Sequence, residues 1–399
     1  MQGISGNYAH FGTYHYLPLL EMRLYIIAGE ASGDLHGGNL IKALHAEQKG
    51  IEIRCWGGEK MQSAGAELVK HYRDLAFMGF AEVIMNFGTI LKNIRFCKTD
   101  ILDWKPDALV LIDYPGFNMR IAGFARRHSI PVFYYIAPQV WAWKQKRVLK
   151  LQRDVTRLFC ILPFEKAFFA KFGMDVDFVG HPLLDVIADA QNSNEIKSFR
   201  IKHQLNDKPI IALLPGSRKQ EIQVMLPAML GVIKHFPDHQ FVIGGAPSQE
   251  KSFYEQFCKG FANISLVESD TYGLMSNADA ALVTSGTATL EAGLWSLPEV
   301  VCYKGNPLSY MIARKLIKVK YISLVNLVMD KEVVRELIQS DLNEEEMKKS
   351  LQEILPGGAK HAKIKEDYAL LKNQLGGKGA SAKTASILLK TLQYQQNAK

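Results

Sequence analysis

Residues 282–304 read Leu-Val-Thr-Ser-Gly-Thr-Ala-Thr-Leu-Glu-Ala-Gly-Leu-Trp-Ser-Leu-Pro-Glu-Val-Val-Cys-Tyr-Lys. An apolar strand runs into a Ser-Gly-Thr turn, a short helix follows, and a second apolar strand begins after Pro298. The turn is predicted to leave backbone N–H groups unpaired at a helix start, where the helix dipole favours negative charge. This pattern predicts a phosphate or diphosphate site at Ser285, Gly286 and Thr287, with Glu291 placed to take ribose hydroxyls. The alternative is an ordinary capped strand–helix connection.

The same unit of strand, glycine-containing loop and helix occurs twice, at Leu24–Asp34 and at Ile210–Arg218. Short apolar runs alternate with helix-length amphipathic segments, which indicates parallel strands joined by crossovers. Further strands are predicted near residues 51–55, 108–112, 131–136, 157–161 and 176–179 in the first half, and near 240–244, 264–267, 279–283 and 299–303 in the second.

We therefore predict an α/β fold of two doubly wound Rossmann-like domains that face a central cleft, followed by C-terminal helices. The domains would span residues 22–190 and 205–342, with the hinge in the polar stretch 187–207. Residues 343–399 would pack back or be exchanged between subunits. Residues 1–21 lack a basic start and an apolar core, so they do not read as a signal peptide. They are expected to be a disordered or non-native extension.

Composition narrows the class of protein. The formal net charge of +8 suits an anionic membrane surface or phosphorylated substrates. Its 48 Lys and Arg are scattered among 40 Asp and Glu, so no nucleic-acid partner is predicted. The five cysteines show no paired spacing, which favours free thiols in a reducing cytosol. No apolar run approaches the ~18 residues that a membrane-spanning helix requires.

Asp113 ends the apolar run Ala108–Asp113 and precedes a Pro-Gly turn. A carboxylate at the C-terminal end of a strand points into the predicted cleft, where it could act as general base toward a substrate hydroxyl. The alternative is a turn residue that caps a neighbouring helix.

The loop after the first strand carries Glu30, Ser32 and Asp34 around two glycines. Acids at a helix start would repel a diphosphate, so this loop suits sugar hydroxyls; alternatively Ser32 or Asp34 is an N-cap. In the second half, Arg218 follows a Gly-Ser turn, and its guanidinium is well suited to a phosphate oxygen. The alternative for Arg218 is a surface pair with Glu221.

Glu332 and Glu336 are predicted to share one helix face at i,i+4 spacing, which alone indicates a solvated face. No HxH, HExxH or Cys/His cluster indicates a metal site.

Residues 77–98 form a broad apolar face at helical spacing, edged with cations. A buried helix is one interpretation. The other is a surface that rests on an anionic bilayer or takes in acyl chains. The candidate contact residues are Met78, Phe80, Ile84, Phe87, Lys92 and Arg95.

Eight motifs, taken in chain order, together resemble the lipid-A-disaccharide synthases, a family of bacterial glycosyltransferases. The resemblance runs from about residue 22 to the final helices, and its most specific parts are the Trp-Ala-Trp segment and the first glycine loop. The motifs are Gly29–Asp34, Met78–Val83, Ile136–Arg147, Leu162–Glu165, Val179–Pro182, Leu214–Arg218, Ser285–Glu291 and Ser323–Asn326.

The resemblance implies a two-domain (GT-B) enzyme of lipid A biosynthesis for the Gram-negative outer membrane. Such enzymes join UDP-2,3-diacylglucosamine to 2,3-diacylglucosamine 1-phosphate, giving a β-1,6-linked disaccharide 1-phosphate and UDP. It also implies a metal-independent enzyme without a cofactor, located in the cytoplasm and peripherally associated with the inner membrane. The family is often dimeric through exchanged C-terminal segments.

By matching position, Asp113 resembles the family's essential aspartate. Six further residues fall on functional positions of the family: Glu30, Ser32, Asp34, Arg218, Asn326 and Glu336. Many relatives carry an acid where this chain has Gly116, and residues 1–21 have no counterpart. Two other classes remain open at this point: an enzyme similar to the UDP-N-acetylglucosamine 2-epimerases, and a non-catalytic two-domain module that binds sugar nucleotides.

Overall fold

The computed structural model describes residues 22–75, 87–191, 198–261, 263–306, 310–311 and 319–397. Within these residues all paired strands are parallel, and they form two sheets. The strands are β1 (Arg23–Ala28), β2 (Glu52–Gly57), β3 (Glu67–His71), β4 (Ala108–Ile112), β5 (Val132–Tyr135), β6 (Arg157–Cys160), β7 (Asp177–Phe178), β8 (Ile210–Leu214), β9 (Gln240–Gly245), β10 (Ile264–Glu268), β11 (Ala280–Thr284), β12 (Glu299–Tyr303) and β13 (Arg335–Ile338).

Helices connect the strands and complete the chain. They are α1 (Ala31–Glu47), α2 (Glu59–Ser63), α3 (Phe87–Trp104), α4 (Pro115–Arg127), α5 (Val140–Trp143), α6 (Val148–Asp154), α7 (Pro163–Ala170), α8 (Leu183–Gln191), α9 (Phe199–Lys202), α10 (Lys219–Leu230), α11 (Lys251–Cys258), α12 (Thr271–Asn277), α13 (Thr287–Leu294), α14 (Leu324–Met329), α15 (Glu344–Ile354), α16 (His361–Gln374) and α17 (Ala380–Asn397).

The first sheet has the order β3-β2-β1-β4-β5-β6-β7. Its direction of growth reverses between β1 and β4, whose last residues Ala28 and Ile112 lie side by side. Because side chains alternate along a strand, Tyr25 enters the core on one face of the sheet and Leu24 the core on the other. Both faces are therefore apolar and covered, which is why these strands read as nearly continuous apolar runs.

The second sheet repeats this plan with the order β10-β9-β8-β11-β12-β13. It reverses between β8 and β11, where Leu214 pairs with Val283. In open parallel sheets, ligands bind outside the C-terminal strand ends at such a reversal. The loops that follow β1, β4, β8 and β11 are therefore the positions at which each domain is built to hold a ligand.

The predicted fold of two doubly wound Rossmann-like domains with a helical C-terminus is confirmed. Every strand that the sequence predicted is present, with ends within two residues of the expected ones. Strands β3 and β13 were not predicted, and the helix expected to carry Glu332 and Glu336 was wrong. Arg335–Ile338 is an edge strand paired with β12, so Glu336 lies on a strand and Glu332 precedes it.

The chain passes between the two domains twice, and the two passages are bonded to each other. The Asp185 carboxylate accepts the backbone N–H of Gly379 at 2.6 Å. The backbone N–H of His181 donates to the Leu375 carbonyl at 2.9 Å. Gly180, at φ +93°, lies so close that an added Cβ would be 3.3 Å from the same carbonyl. Helix α17 then packs against α1 in the first domain.

All five cysteines are free, and four of them are buried. Among the described residues no helix has both the length and the apolar character needed to span a bilayer.

Candidate functional site

Glu30 and Asp113 lie beside each other at the reversal point of the first sheet. Glu30 follows β1 after Gly29, and Asp113 follows β4 directly. Burial raises the pKa of Asp113 from 3.8 to about 6, and the Glu30 carboxylate adds to this rise. The two acids that the sequence singled out are thus close in space, and Asp113 has a pKa in the range that suits a general base near neutral pH.

The backbone fixes the position of Asp113. Asp113 and Tyr114 have φ angles of +42° and +48°, a conformation that non-glycine residues rarely adopt. The Tyr134 hydroxyl and the Asn118 amide both donate to the Asp113 carbonyl, at 2.6 and 2.8 Å. A Cβ at Gly29 would collide with the Tyr114 ring, so glycine is needed there for the ring to lie over the end of β1. Such over-determined strain is typical of functional loops.

Glu165 is a third carboxylate near this point, buried below the strand ends, and no role was predicted for it from the sequence. Its side chain accepts N–H groups from Ile161 and Leu162 at 3.1 and 2.9 Å and the indole N–H of Trp141 at 3.1 Å. Burial raises its pKa to about 7, and Asp113 contributes a smaller rise. The signal was present in the sequence as Leu-Pro-Phe-Glu, because proline at the first helical position and glutamate at the third mark a helix start.

Ser32 and Asp34 take different places. Ser32 is exposed in the first turn of α1, on the loop that carries Glu30. Asp34 is buried, and its carboxylate accepts backbone N–H groups from Gly58, Lys60 and Met61 at 2.7 to 3.1 Å. The expected N-cap of α1 by Ser32 or Asp34 is wrong, since Glu30 occupies that position without a side-chain cap. Asp34 instead holds the start of α2.

The Ser-Gly-Thr turn of the second domain lies at the reversal point of its sheet. Helix α13 begins at Thr287, and no side chain caps its first turn. The backbone N–H groups of Gly286, Thr287 and Ala288 have no acceptor among the described residues. The Ser285 hydroxyl donates to the Ile322 carbonyl at 3.2 Å. A Cβ at Gly286 would meet nothing within 4 Å, so the space above this helix start is open.

Arg218 is the N-cap residue of helix α10 and follows the loop after β8. Its side chain is 62% exposed and lies 3.5 Å from Glu221, as expected for a surface pair of the two residues. It also acts across the cleft: desolvation raises the pKa of Glu30, and the Arg218 guanidinium opposes that rise. The loops of the two domains are therefore within electrostatic range of each other.

The remaining residues expected to bind a donor are used inside the protein. Glu291 is largely buried and accepts the Tyr272 hydroxyl at 3.3 Å. The Asn326 side chain bonds the backbone around Val334 and the Glu336 carboxylate. Glu336 in turn accepts the N–H groups of residues 322 and 323. Asn326 and Glu336 thus shape the loop that the Ser285 hydroxyl contacts.

The apolar segment at 77–98 is described only in part. Met78, Phe80 and Ile84 lie outside the described residues, and Phe87 is described only as the first residue of α3. The rest of α3 divides into two faces. Ile94, Cys97 and Ile101 are buried in the first domain, whereas four residues point to solvent: Leu91, Lys92, Arg95 and Phe96.

Among the described residues, no group of three or more His, Cys, Asp and Glu side chains is arranged to hold a metal ion. The cleft carries Glu30 and Asp113 on one side, with Glu165 buried behind them, and an open helix start with Arg218 on the other. This arrangement can ionise a hydroxyl and receive an anionic leaving group.

The chain is similar to known proteins along nearly its whole length. A family model described as lipid-A-disaccharide synthetase matches residues 24–391. The lipid-A-disaccharide synthase of Syntrophus aciditrophicus is 39% identical over 371 residues, which cover 91% of this chain and 96% of that protein. The lipid-A-disaccharide synthase of Geobacter sulfurreducens is 35% identical, with 94% and 98% covered.

Solved structures are similar in fold. UDP-GlcNAc 2-epimerase from Neisseria meningitidis bound to UDP-GlcNAc superposes with a TM-score of 0.64 at 14% identity, covering 94% of this chain and all of that one. The glycotransferase of kitacinnamycin gives a TM-score of 0.60 at 14% identity, covering 93% and 99%. At these identities the likeness concerns the fold alone.

Proposed function

Because the chain belongs to the lipid-A-disaccharide synthetase family, we propose that it transfers diacylglucosamine from UDP-2,3-diacylglucosamine to 2,3-diacylglucosamine 1-phosphate. The family consists of glycosyltransferases that act in lipid A synthesis. The products would be the β-1,6-linked lipid A disaccharide 1-phosphate and UDP.

Asp113 would act as general base. It would take the proton of the acceptor's 6-hydroxyl as that oxygen attacks the anomeric carbon of the donor. The new C–O bond would form on the face opposite the departing UDP, so the configuration would invert. The pKa near 6 supports this role, because the carboxylate is mostly ionised at neutral pH yet still basic enough to accept a proton.

The donor diphosphate would lie at the start of α13. The unpaired N–H groups of Gly286, Thr287 and Ala288 suit its oxygens, and the helix dipole favours their charge. Arg218 would neutralise the charge that builds on UDP as the bond breaks, so that no metal ion is needed. Glu30 would bind a sugar hydroxyl between Asp113 and Arg218. Its charge raises the pKa of Asp113, and the charge of Arg218 lowers the pKa of Glu30, so it lies within electrostatic range of both.

The single observation that carries this proposal is the pairing of Asp113 and Glu30 on one domain with Arg218 across the cleft. The test is mass spectrometry of products from UDP-2,3-diacylglucosamine and 2,3-diacylglucosamine 1-phosphate, with and without EDTA. We expect disaccharide 1-phosphate and UDP in equal amounts, unaffected by EDTA. Turnover of soluble UDP-N-acetylglucosamine without any lipid acceptor would favour an epimerase instead, and unchanged ligands would favour a binding module.

The rate should depend on pH in one direction. We expect kcat/KM to fall about tenfold per pH unit below about pH 6, because protonated Asp113 cannot accept a proton. Above that pH the carboxylate is ionised and the rate should level off until another group titrates. Initial rates measured across this range, with circular dichroism at each pH as the control for folding, check the prediction. A flat profile through pH 6 would contradict it.

The exposed face of α3 supports a peripheral contact with the cytoplasmic side of the inner membrane. Leu91 and Phe96 are 42% and 48% exposed, and Lys92 and Arg95 stand beside them. Apolar side chains flanked by cations suit an anionic bilayer surface.

A homodimer by exchange of C-terminal segments is also proposed, because α17 could make its contacts with α1 in a second copy as it does within one chain.

The double change Lys92→Gln with Arg95→Gln should weaken sedimentation with vesicles containing phosphatidylglycerol by roughly tenfold or more, at about 1 kcal/mol for each basic residue near the surface. Both side chains are exposed, so unfolding is not expected. The matched control is Lys349→Gln with Lys365→Gln, two exposed lysines on the C-terminal helices. Equal sedimentation of both double variants would exclude α3 as the membrane contact.

A further inference from the structure

Two cationic side chains lie against one exposed aromatic ring at the edge of the cleft. Trp143 is 55% exposed at the end of α5, in the segment that follows β5. The Lys144 ammonium lies 4.0 Å from its ring centre, and the Arg147 guanidinium carbon lies 5.9 Å from it. The Trp-Ala-Trp segment was among the most specific motifs of the sequence, yet neither the base nor the donor site uses it.

The segment around Trp143 is anchored by contacts with the protein interior. Trp141 is buried and donates its indole N–H to Glu165, while the Gln145 amide donates to the Trp141 carbonyl at 3.3 Å. Val140 and Val148 are buried at either end. The backbone that presents Trp143 is thus anchored on both sides, although the ring itself faces solvent.

The cations of this segment have no carboxylate partner in the described part of the chain. Lys144 and Arg147 form no ion pair there, although ion pairs are common elsewhere in the same domain. Desolvation lowers the pKa of Lys144, and the neighbouring Arg147 lowers it further. Two like charges held together in this way are unfavourable in the free protein and favourable once an anion binds between them.

Arg147 also lies near the hydroxyl group of Tyr134, which contacts the candidate base. Burial raises the pKa of Tyr134, the Asp113 carboxylate adds to the rise, and Arg147 opposes it. The Asp113 carboxylate and the Arg147 guanidinium are therefore both within electrostatic range of the Tyr134 hydroxyl, which donates to the Asp113 carbonyl. The carboxylates of Glu30 and Asp113 would repel an anionic acceptor unless cations nearby compensated them.

We propose that Trp143, Lys144 and Arg147 form the subsite for the phosphate group of the acceptor. This inference rests on the proposed function and adds to it the means by which one substrate is oriented. The guanidinium fork and the ammonium group bind the phosphate oxygens, and the indole face holds both cations in place. With the phosphate fixed here, the opposite end of the sugar is directed toward Asp113.

The test compares two acceptors, 2,3-diacylglucosamine 1-phosphate and the same sugar without its phosphate. Arg147→Gln should raise KM for the phosphorylated acceptor roughly 10- to 100-fold, with kcat little changed, because a charge-assisted pair is lost. KM for the dephosphorylated acceptor should stay the same. Trp143→Ala, at an exposed position, should shift KM in the same direction by less. Lys171→Gln, at an exposed lysine directly after α7, is the matched control.

Each other result is decisive. Equal losses on both acceptors would assign Arg147 a structural role and overturn the subsite. Arg147→Gln that kept its KM but no longer sedimented with anionic vesicles would make the patch a membrane contact instead. If Arg147→Gln failed to fold, Arg147→Lys would decide, since it keeps the charge but loses the fork and should show a smaller KM effect on the phosphorylated acceptor alone. Wild-type protein that makes no disaccharide from either acceptor would refute the proposed function itself.

Discussion

Asp113→Asn is expected to abolish disaccharide formation while the protein stays folded and binds UDP. The amide cannot accept a proton, and loss of a general base commonly costs about 10²- to 10⁴-fold in rate. Asparagine adopts left-handed backbone angles more readily than most residues, so φ +42° is tolerated. The bonds from Tyr134 and Asn118 reach the backbone carbonyl and are unaffected by the change. Product assays and calorimetric titration with UDP measure both parts.

The same variant should gain stability at neutral pH. The folded pKa of Asp113, about 6, is above the unfolded 3.8. Its stabilising contribution is therefore fully present below about pH 4 and lost as pH rises through 6, so the ionised carboxylate costs the fold of the order of 1 to 3 kcal/mol at pH 7. A neutral amide avoids this cost. Thermal unfolding measures it, with the exposed Asp207→Asn as control. Near-native turnover by Asp113→Asn would exclude Asp113 as the base.

Arg218→Ala should lower kcat by roughly 10²- to 10³-fold, the usual loss when one group that stabilises developing negative charge is removed. The side chain is 62% exposed and contributes little to the core, so the loss should come without unfolding. Arg218→Lys should recover part of the rate, because it keeps the charge without the two-pronged geometry. Rates with saturating acceptor and inhibition by UDP separate catalysis from binding.

Glu221→Gln separates this role from the surface ion pair. If Arg218 served only to pair with Glu221, removing the charge of Glu221 would reproduce the loss. We expect instead a rate close to that of the wild type, because the Gln side-chain oxygen can still accept the N–H of Arg218 at the start of α10. Equal losses in Arg218→Ala and Glu221→Gln would remove Arg218 from the donor site.

The fold could be predicted because its central strands are buried on both faces and read as apolar runs. The two missed strands, β3 and β13, both lie at sheet edges and pair on one side only. Edge strands carry charged and half-exposed residues, as in Glu67–His71 and Arg335–Ile338. Their alternation was too short to distinguish from a charged helix face, which explains the wrong helix at Glu336.

The site was less predictable than the fold. The strand-end rule placed Asp113 and Glu30 together, because parallel strands bring their C-terminal ends to one edge. The same rule could not tell a free acid from one already bonded: Asp34 is bonded to residues 58–61, which are distant in sequence. Glu165 was overlooked because its partner Trp141 follows β5 whereas Glu165 follows β6, so the sequence alone does not show that the two side chains are bonded.

The two bonded passages between the domains limit how the enzyme can move. With Asp185 joined to Gly379 and His181 to Leu375, sliding of one lobe past the other would break several short bonds. We expect the lobes to move by rotation about the line of the passages, because that motion can leave these bonds intact. In the proposed reaction, uptake of both sugars and departure of the nucleotide would then depend on this one rotation. A nick between residues 375 and 380 should remove this restraint, so that sliding of the lobes becomes possible as well as rotation.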